Sequence, residues 1–122
     1  MLSLVAVEEN KIVGHAMFWR MKTPEGTLGL GPVAVVTEYR RKGIAASLIR
    51  EGLRQAGEQG WKSVFVLGNP SYYRRFGFDP ELAKGFKSRY AGPHLMALAL
   101  QGHGFSVQGG SLEYAAAFAM LE

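Results

Sequence analysis

At 122 residues, 48% of them hydrophobic, the chain is long enough for one folded domain with a real core and too apolar for a disordered tail. Fourteen basic against ten acidic residues leave a net charge of +4, which favours an anionic partner but is too small and scattered to demand nucleic acid. The absence of cysteine removes disulfides, thiolate metal sites and cysteine nucleophiles together, and apolar runs such as Leu95–Leu100 are far too short to span a bilayer.

The first ten residues lack a basic segment and meet acid at Glu8 and Glu9, so they do not read as a secretory signal, and a cytoplasmic location is expected. Leu2–Glu8 reads as a strand, Glu9-Asn10 as a tight turn and Lys11–Met21 as a longer strand, together an antiparallel hairpin. A turn over 22–27 leads to a third strand, Leu28–Val36, in which Pro32 has no N–H to give, so a missing ladder bond and a bulge or splay are expected there. The basic turn Arg40-Arg41-Lys42-Gly43-Ile44-Ala45 follows. A helix is expected over 41–59, with Ile44, Leu48, Ile49, Leu53 and Ala56 on one stripe and Arg50, Glu51, Arg54 and Glu58 off it. Gly60 stops it.

Ser63–Leu67 reads as a short buried strand, and strand–helix–strand over this distance implies a parallel pair with a right-handed crossover. A short helix is expected over 70–76, with Pro70 suited to its first turn, and two final strands over 94–100 and 111–120. With no repeat, linker or low-complexity segment, the reading is a single domain over 1–122. Its fold class is α/β (α+β): a mixed, mostly antiparallel sheet with a central parallel strand–helix–strand unit.

The segment from Val33 to Ala46 carries the chemistry. A strand, then a turn of free backbone N–H groups, then a helix N-terminus is how backbones hold phosphates: the dipole and unpaired amides attract the anion, and glycine lets it come close. The N–H groups from Arg41 to Ala46 would do the holding, and the cations of Arg40, Arg41 and Lys42 strengthen the case for a phosphate-bearing ligand. Neither Gly-x-x-x-x-Gly-Lys-Ser/Thr nor Gly-x-Gly-x-x-Gly is present.

Arg40-x-x-Gly43-x-Ala45 after a Val-Ala-Val strand resembles the acetyl-CoA pyrophosphate loop of the GNAT N-acetyltransferases, Gln/Arg-x-x-Gly-x-Gly/Ala. The run Leu67-Gly68-Asn69-Pro70-Ser71-Tyr72-Tyr73-Arg74-Arg75-Phe76-Gly77-Phe78 is similar to that family's second element, in which a tyrosine lies four residues before the glycine of a closing Gly-Phe. With the late Glu113-Tyr114-x-x-x-Phe118, the pattern is similar to one bacterial branch of predicted acetyltransferases, and it extends from Leu2 to Phe118.

The resemblance implies acetyl-CoA as co-substrate and a primary amine of unknown identity as acceptor, attacked directly in a ternary complex. It implies cofactor contacts from the backbone of Val33, Ala34 and Val35, from Arg40, Arg41, Lys42, Gly43, Ile44, Ala45 and Ala46, and from Asn69. Tyr73 is the implied catalytic residue: a phenol of pKa about 10 stays protonated at neutral pH and can donate to a thiolate leaving group. Tyr72 is expected to be structural, and no metal is expected.

The general base stays open. Many relatives place a glutamate on the central strand, but 28–36 holds no carboxylate; Glu113, His94 or a chain of water molecules could substitute. His15 is expected to fill a sheet face, and His103 sits in a glycine-rich loop. Family members usually begin with a strand and two helices that wall the acceptor site, and this chain starts at what resembles their second strand. Those elements are absent, supplied by a partner chain, or lost from a truncated reading frame. A homodimer is the expected consequence. A CoA-binding module without catalysis is the competing function. A nucleic-acid-binding domain is disfavoured, because the basic residues cluster at one turn.

Overall fold

The computed structural model describes residues 2–23, 25–88, 92–100, 110–111 and 113–114. β1 (Leu2–Glu8) and β2 (Lys11–Thr23) form the expected hairpin, closed by Glu9 and Asn10 with φ of 51° and 65°, the left-handed pair that a two-residue turn requires. β3 (Thr27–Val35) lies antiparallel to β2. α1 (Ile44–Glu58) crosses over, and β4 (Ser63–Leu67) returns parallel to β3. α2 (Pro70–Tyr73) runs into a 3-10 turn at Arg74–Phe76, and α3 (Pro80–Ala83) and β5 (Phe86–Lys87) follow. β6 (Leu95–Ala99) pairs antiparallel with β4, giving the order β1-β2-β3-β4-β6. β7 (Gly110–Ser111) pairs in parallel with β5 in a small second sheet, and β8 (Glu113–Tyr114) pairs with β2 at Met21 and Thr23. This is the expected mixed sheet with one parallel pair at its centre.

α1 covers one face of the sheet. Leu48, Ile49 and Ala56 are buried against Ala16, Phe18, Leu28, Leu30, Val64 and Val66, which is the stripe the helical period predicts. Gly52 lies on the same stripe, where any β-carbon would run into the ring of Phe18, so glycine sets how closely the helix can lie on β2. A smaller cluster of Met21, Phe65, Ala83, Phe86, Leu95 and Ala97 fills the other face beneath α3. No helix among the described residues is long and apolar enough to cross a membrane.

Three expectations need correction. The helix begins at Ile44 instead of Arg41: Arg41 and Gly43 have φ of 66° and 81°, which no α-helix accepts, so Arg41 and Lys42 stand in a turn ahead of it. Within 111–120, the described residues fall in two short strands that pair with different partners, and 115–120 lie outside the described residues. α3 and β5 were not expected. Their sequence signal is Asp79-Pro80: Asp79 Oδ1 accepts the N–H of Glu81 at 2.9 Å, and Pro80 occupies the first helical position.

Candidate active site

The parallel ladder between β3 and β4 runs from Thr27–Ser63 to Leu30–Val66 and stops. Gly31 and Pro32 come next. On the β2 side the register steps from Phe18–Leu30 to Ala16–Val33, so β3 carries one extra residue and bulges there. Beyond the bulge, Val33, Ala34 and Val35 still pair with Ala16, His15 and Gly14, while β4 turns away. The splay expected at Pro32 is present, and it opens a notch between the two strands.

Backbone direction in the notch follows from one bond. The N–H of Val36 donates to Val13 O at 2.7 Å, so the carbonyl of Val35 points away from β2, and Arg40 Nε–H donates to it at 3.2 Å. Alternation along the strand turns the N–H and C=O of Val33 to the same open side. The Val33 side chain packs against the main core, and Ala34 is exposed.

β3 leaves the notch through a 3-10 turn at Thr37–Tyr39 and then the basic turn. The first intrahelical bond of α1 is Ser47 N–H to Gly43 O at 3.0 Å, so the N–H groups of Ile44, Ala45 and Ala46 have no helical partner. No side chain caps this end and no acidic residue lies in its first turn. A β-carbon at Gly43 would meet nothing within 4 Å, so packing does not require glycine there; its φ of 81° and the open space over the amides do. Lys42 Nζ lies 5.3 Å from the centre of the Tyr39 ring, and Arg41 is exposed. A hollow of about 300 Å³, bordered by Leu4, Ala6, Lys42, Gly43, Ser47 and Glu51, adjoins the turn.

β4 leaves the notch differently. Gly68 N–H donates to His94 O at 3.0 Å, and Gly68 O accepts from His94 Nδ1 at 3.0 Å, since a carbonyl can only accept. Asn69 then caps α2: its Oδ1 takes the N–H of Ser71 at 2.9 Å, and its carbonyl takes those of Tyr72 and Tyr73 at 3.0 and 3.1 Å. The cap turns Tyr73 back over Gly68, where a β-carbon would run into the tyrosine ring. Tyr73 meets Tyr72 and Phe78 edge-on, with centroids 5.1 and 5.9 Å apart. Burial, with a smaller effect of Tyr72 beside it, pushes its hydroxyl above the ordinary value of 10. Tyr72 instead carries the Arg75 guanidinium 4.5 Å over its ring.

The notch thus brings together Val33, Val35, the 40–46 turn, Asn69 and Tyr73. The side-chain oxygen of Asn69 is engaged in capping, which leaves its exposed amide nitrogen for a ligand. Glu113 does not join them. Its backbone pairs with Thr23, five residues beyond Phe18 and near the opposite end of the sheet, roughly 17 Å from the end of the parallel ladder at 3.4 Å per residue. Gly68 stands at the head of the Gly-x-Pro-x-Tyr-Tyr motif, yet the sequence assigns it no role; in the structure both Tyr73 and His94 use it.

Residues 1–78 match the sequence model of the acetyltransferase (GNAT) family. The chain is 40% identical over 99 residues to the uncharacterized N-acetyltransferase YjhQ of Escherichia coli, and 35% identical over 95 residues to the uncharacterized N-acetyltransferase YhbS of the same species. Each match takes in 75% of this chain but only 54% and 57% of the relatives, so the chain spans about half the length of the curated relatives it matches. Among solved structures, YhbS of Escherichia coli in complex with CoA superposes with a TM-score of 0.86 at 28% identity, over 96% of this chain and 68% of that one. A GNAT family acetyltransferase from Brucella melitensis in complex with acetyl-CoA superposes with a TM-score of 0.75 at 36% identity, over 95% of this chain and 67% of that one.

Proposed function

Because the chain belongs to the GNAT acetyltransferase family, we propose that residues 1–122 form one acetyltransferase domain that moves an acetyl group from acetyl-CoA to a primary amine by direct attack in a ternary complex, in the cytoplasm. One observation carries this reading: the β3–β4 ladder ends at Leu30–Val66, and the two strand exits flank the resulting notch, one with unpaired amides and cations, the other with a protonated phenol.

The residues fit the cofactor. Three partnerless N–H groups at Ile44, Ala45 and Ala46, no carboxylate in the first turn, an open Gly43 and the cations of Arg40, Arg41 and Lys42 suit a pyrophosphate. The open-side N–H and C=O of Val33, and the N–H of Val35 beyond Ala34, suit an extended amide arm laid along the strand as if it were another one. Asn69 would add its amide nitrogen. Bound there, acetyl-CoA supplies the activated thioester.

Tyr73 holds a proton at the other exit. As the amine nitrogen bonds to the carbonyl carbon and the C–S bond breaks, the hydroxyl donates to the departing sulfur. Full transfer from a phenol of pKa 10 to a thiol near 8.5 is uphill by about 2 kcal/mol, and burial of Tyr73 makes it more so. Tyr73 therefore acts first as a hydrogen-bond donor to developing thiolate charge, a contribution typically of about 10²–10⁴ in rate. A CoA-binding module without turnover is the second reading, favoured by the lack of any carboxylate on β3.

The molecule is further proposed to act as a homodimer. Among the described residues β1 has no strand on its outer side, and Val5, Val7 and Ile12 are 51%, 57% and 65% exposed. Light scattering at micromolar concentration decides this point, a clean monomer overturning it. The transferase reading is tested by melting and by thiol release: acetyl-CoA at a hundred times its Kd should stabilise the protein by about 2.7 kcal/mol, and amines should release free thiol from it. A folded protein with no melting shift at millimolar acetyl-CoA overturns the reading.

A further inference from the structure

We propose that His94 is the general base that takes the proton from the acceptor amine. The proposal rests on the transferase reading and adds the group that reading lacks.

β3 offers no carboxylate, and Glu113 belongs to the far end of the sheet. The described histidines are His15 and His94. His15 stands on β2, a full strand away from the notch, opposite Ala34. His94 stands where β4 ends, doubly tied to Gly68 by main chain and ring.

The tie also fixes the chemistry of the ring. Gly68 O can only accept, so His94 Nδ1 carries a hydrogen, and in the neutral ring the lone pair falls to Nε2. The residue is exposed, so that lone pair is not sealed in the core. Gly68 is also the residue against whose α-carbon the Tyr73 ring packs. The proton acceptor and the proton donor therefore hang on a single residue at the mouth of the notch, one on its carbonyl and one on its α-carbon.

The charged groups on the neighbouring elements are Arg74 and Arg75 of the turn after α2, Asp79 beside Ala97 of β6, and the Glu81–Lys84 pair of α3, joined at 2.8 Å. Arg74, Glu81 and Lys84 border a cavity of about 490 Å³ lined by Pro93 and Leu95, the chain neighbours of His94, and not by His94 itself. Tyr73 is the titratable group across Gly68, and it is neutral throughout the range in which histidine titrates.

The protons balance. The acceptor enters as an ammonium and gives one proton to Nε2, which passes it to water. The free amine bonds to the carbonyl carbon, the C–S bond breaks, and the sulfur takes the Tyr73 proton. A second proton leaving nitrogen restores Tyr73.

The test uses His94→Asn, whose amide nitrogen can still donate to Gly68 O while nothing replaces Nε2. The acceptor kcat/KM at pH 7 should fall on the order of 10²-fold. The acid limb of its pH profile should give way to a rate that climbs with the free-amine fraction, and the acetyl-CoA melting shift should stay unchanged. In the parent protein without ligand, ¹⁵N NMR should show His94 protonated at Nδ1 and bare at Nε2. A loss under threefold with the acid limb intact, the opposite tautomer, or an equivalent loss in His15→Asn alone overturns the assignment of His94. Absence of amine-dependent thiol release from the parent protein overturns the transferase reading and the base with it, while a surviving melting shift then identifies a CoA-binding module.

Discussion

The two parallel strands at the centre of the sheet leave the notch by different means. β3 ends in a proposed site made almost wholly of backbone: the open side of Val33, then the amides ahead of α1, kept clear by Gly43. β4 ends in a site made of side chains, with Tyr73 and His94 hung on Gly68. A backbone site depends on conformation and on what is kept away from it. A side-chain site depends on identity and on what holds the group still. Recognition of a constant part of a ligand belongs naturally to the first kind, and chemistry belongs to the second.

Substitutions can break that division. The largest effect is expected from Gly43→Asp. The position has space for a β-carbon and aspartate tolerates a positive φ better than most residues, so the protein should fold. A carboxylate over the amides should nevertheless weaken acetyl-CoA binding on the order of 10³-fold through lost access and like-charge repulsion. Calorimetric titration checks it, and near-normal affinity would remove the turn from the site. Tyr73→Phe should do the converse, keeping affinity and melting temperature while kcat falls on the order of 10²-fold, with Tyr72→Phe as the control of small effect.

Gly68→Ala sharpens the comparison, because it touches the second exit without removing a functional group. Its methyl must displace the Tyr73 ring, so we expect kcat down about tenfold and stability down by about 1–3 kcal/mol, the usual range for overpacking, with the acetyl-CoA Kd held. The smallest effect lies outside both exits. Arg54 and Gln55 bond the exposed Glu51 carboxylate on α1 and hold it down to about 2 from its ordinary 4.5. A depressed carboxylate stabilises the fold above pH 4.5 and loses that contribution as the pH falls towards 2. Melting curves between pH 5 and 2 should show a slight loss that Glu51→Gln removes and that salt weakens.

The backbone exit was legible in the sequence because its requirements are local. Pro32 announces the missing ladder bond, and Arg40-x-x-Gly43-x-Ala45 announces a turn before a helix. Even there, Arg41 at φ 66° hid the true start of α1, since nothing in an arginine advertises a left-handed conformation. The side-chain exit was legible only in part. Tyr73 could be picked by its spacing from Gly77, but its seat on Gly68 and the tie from His94 join residues 26 apart, which no periodicity encodes. The stretch after Gly110 hides a change of partner that alternation does not name: Gly110–Ser111 pair with β5 and Glu113–Tyr114 with β2.

Gly52 gives the helix a mechanical role. It lies nine residues past Gly43, about 13.5 Å along the axis at 1.5 Å per residue, and it is the point where α1 rests directly on Phe18. A rigid rod seated on a fulcrum transmits any shim placed there to its tip. Amide bonds to an anion fade once the N···O distance passes about 3.2 Å, so a lift of well under one ångström at the tip is enough to loosen the grip. If the α1 N-terminus holds the cofactor as proposed, the depth of a single contact inside the core would then set how firmly it does so.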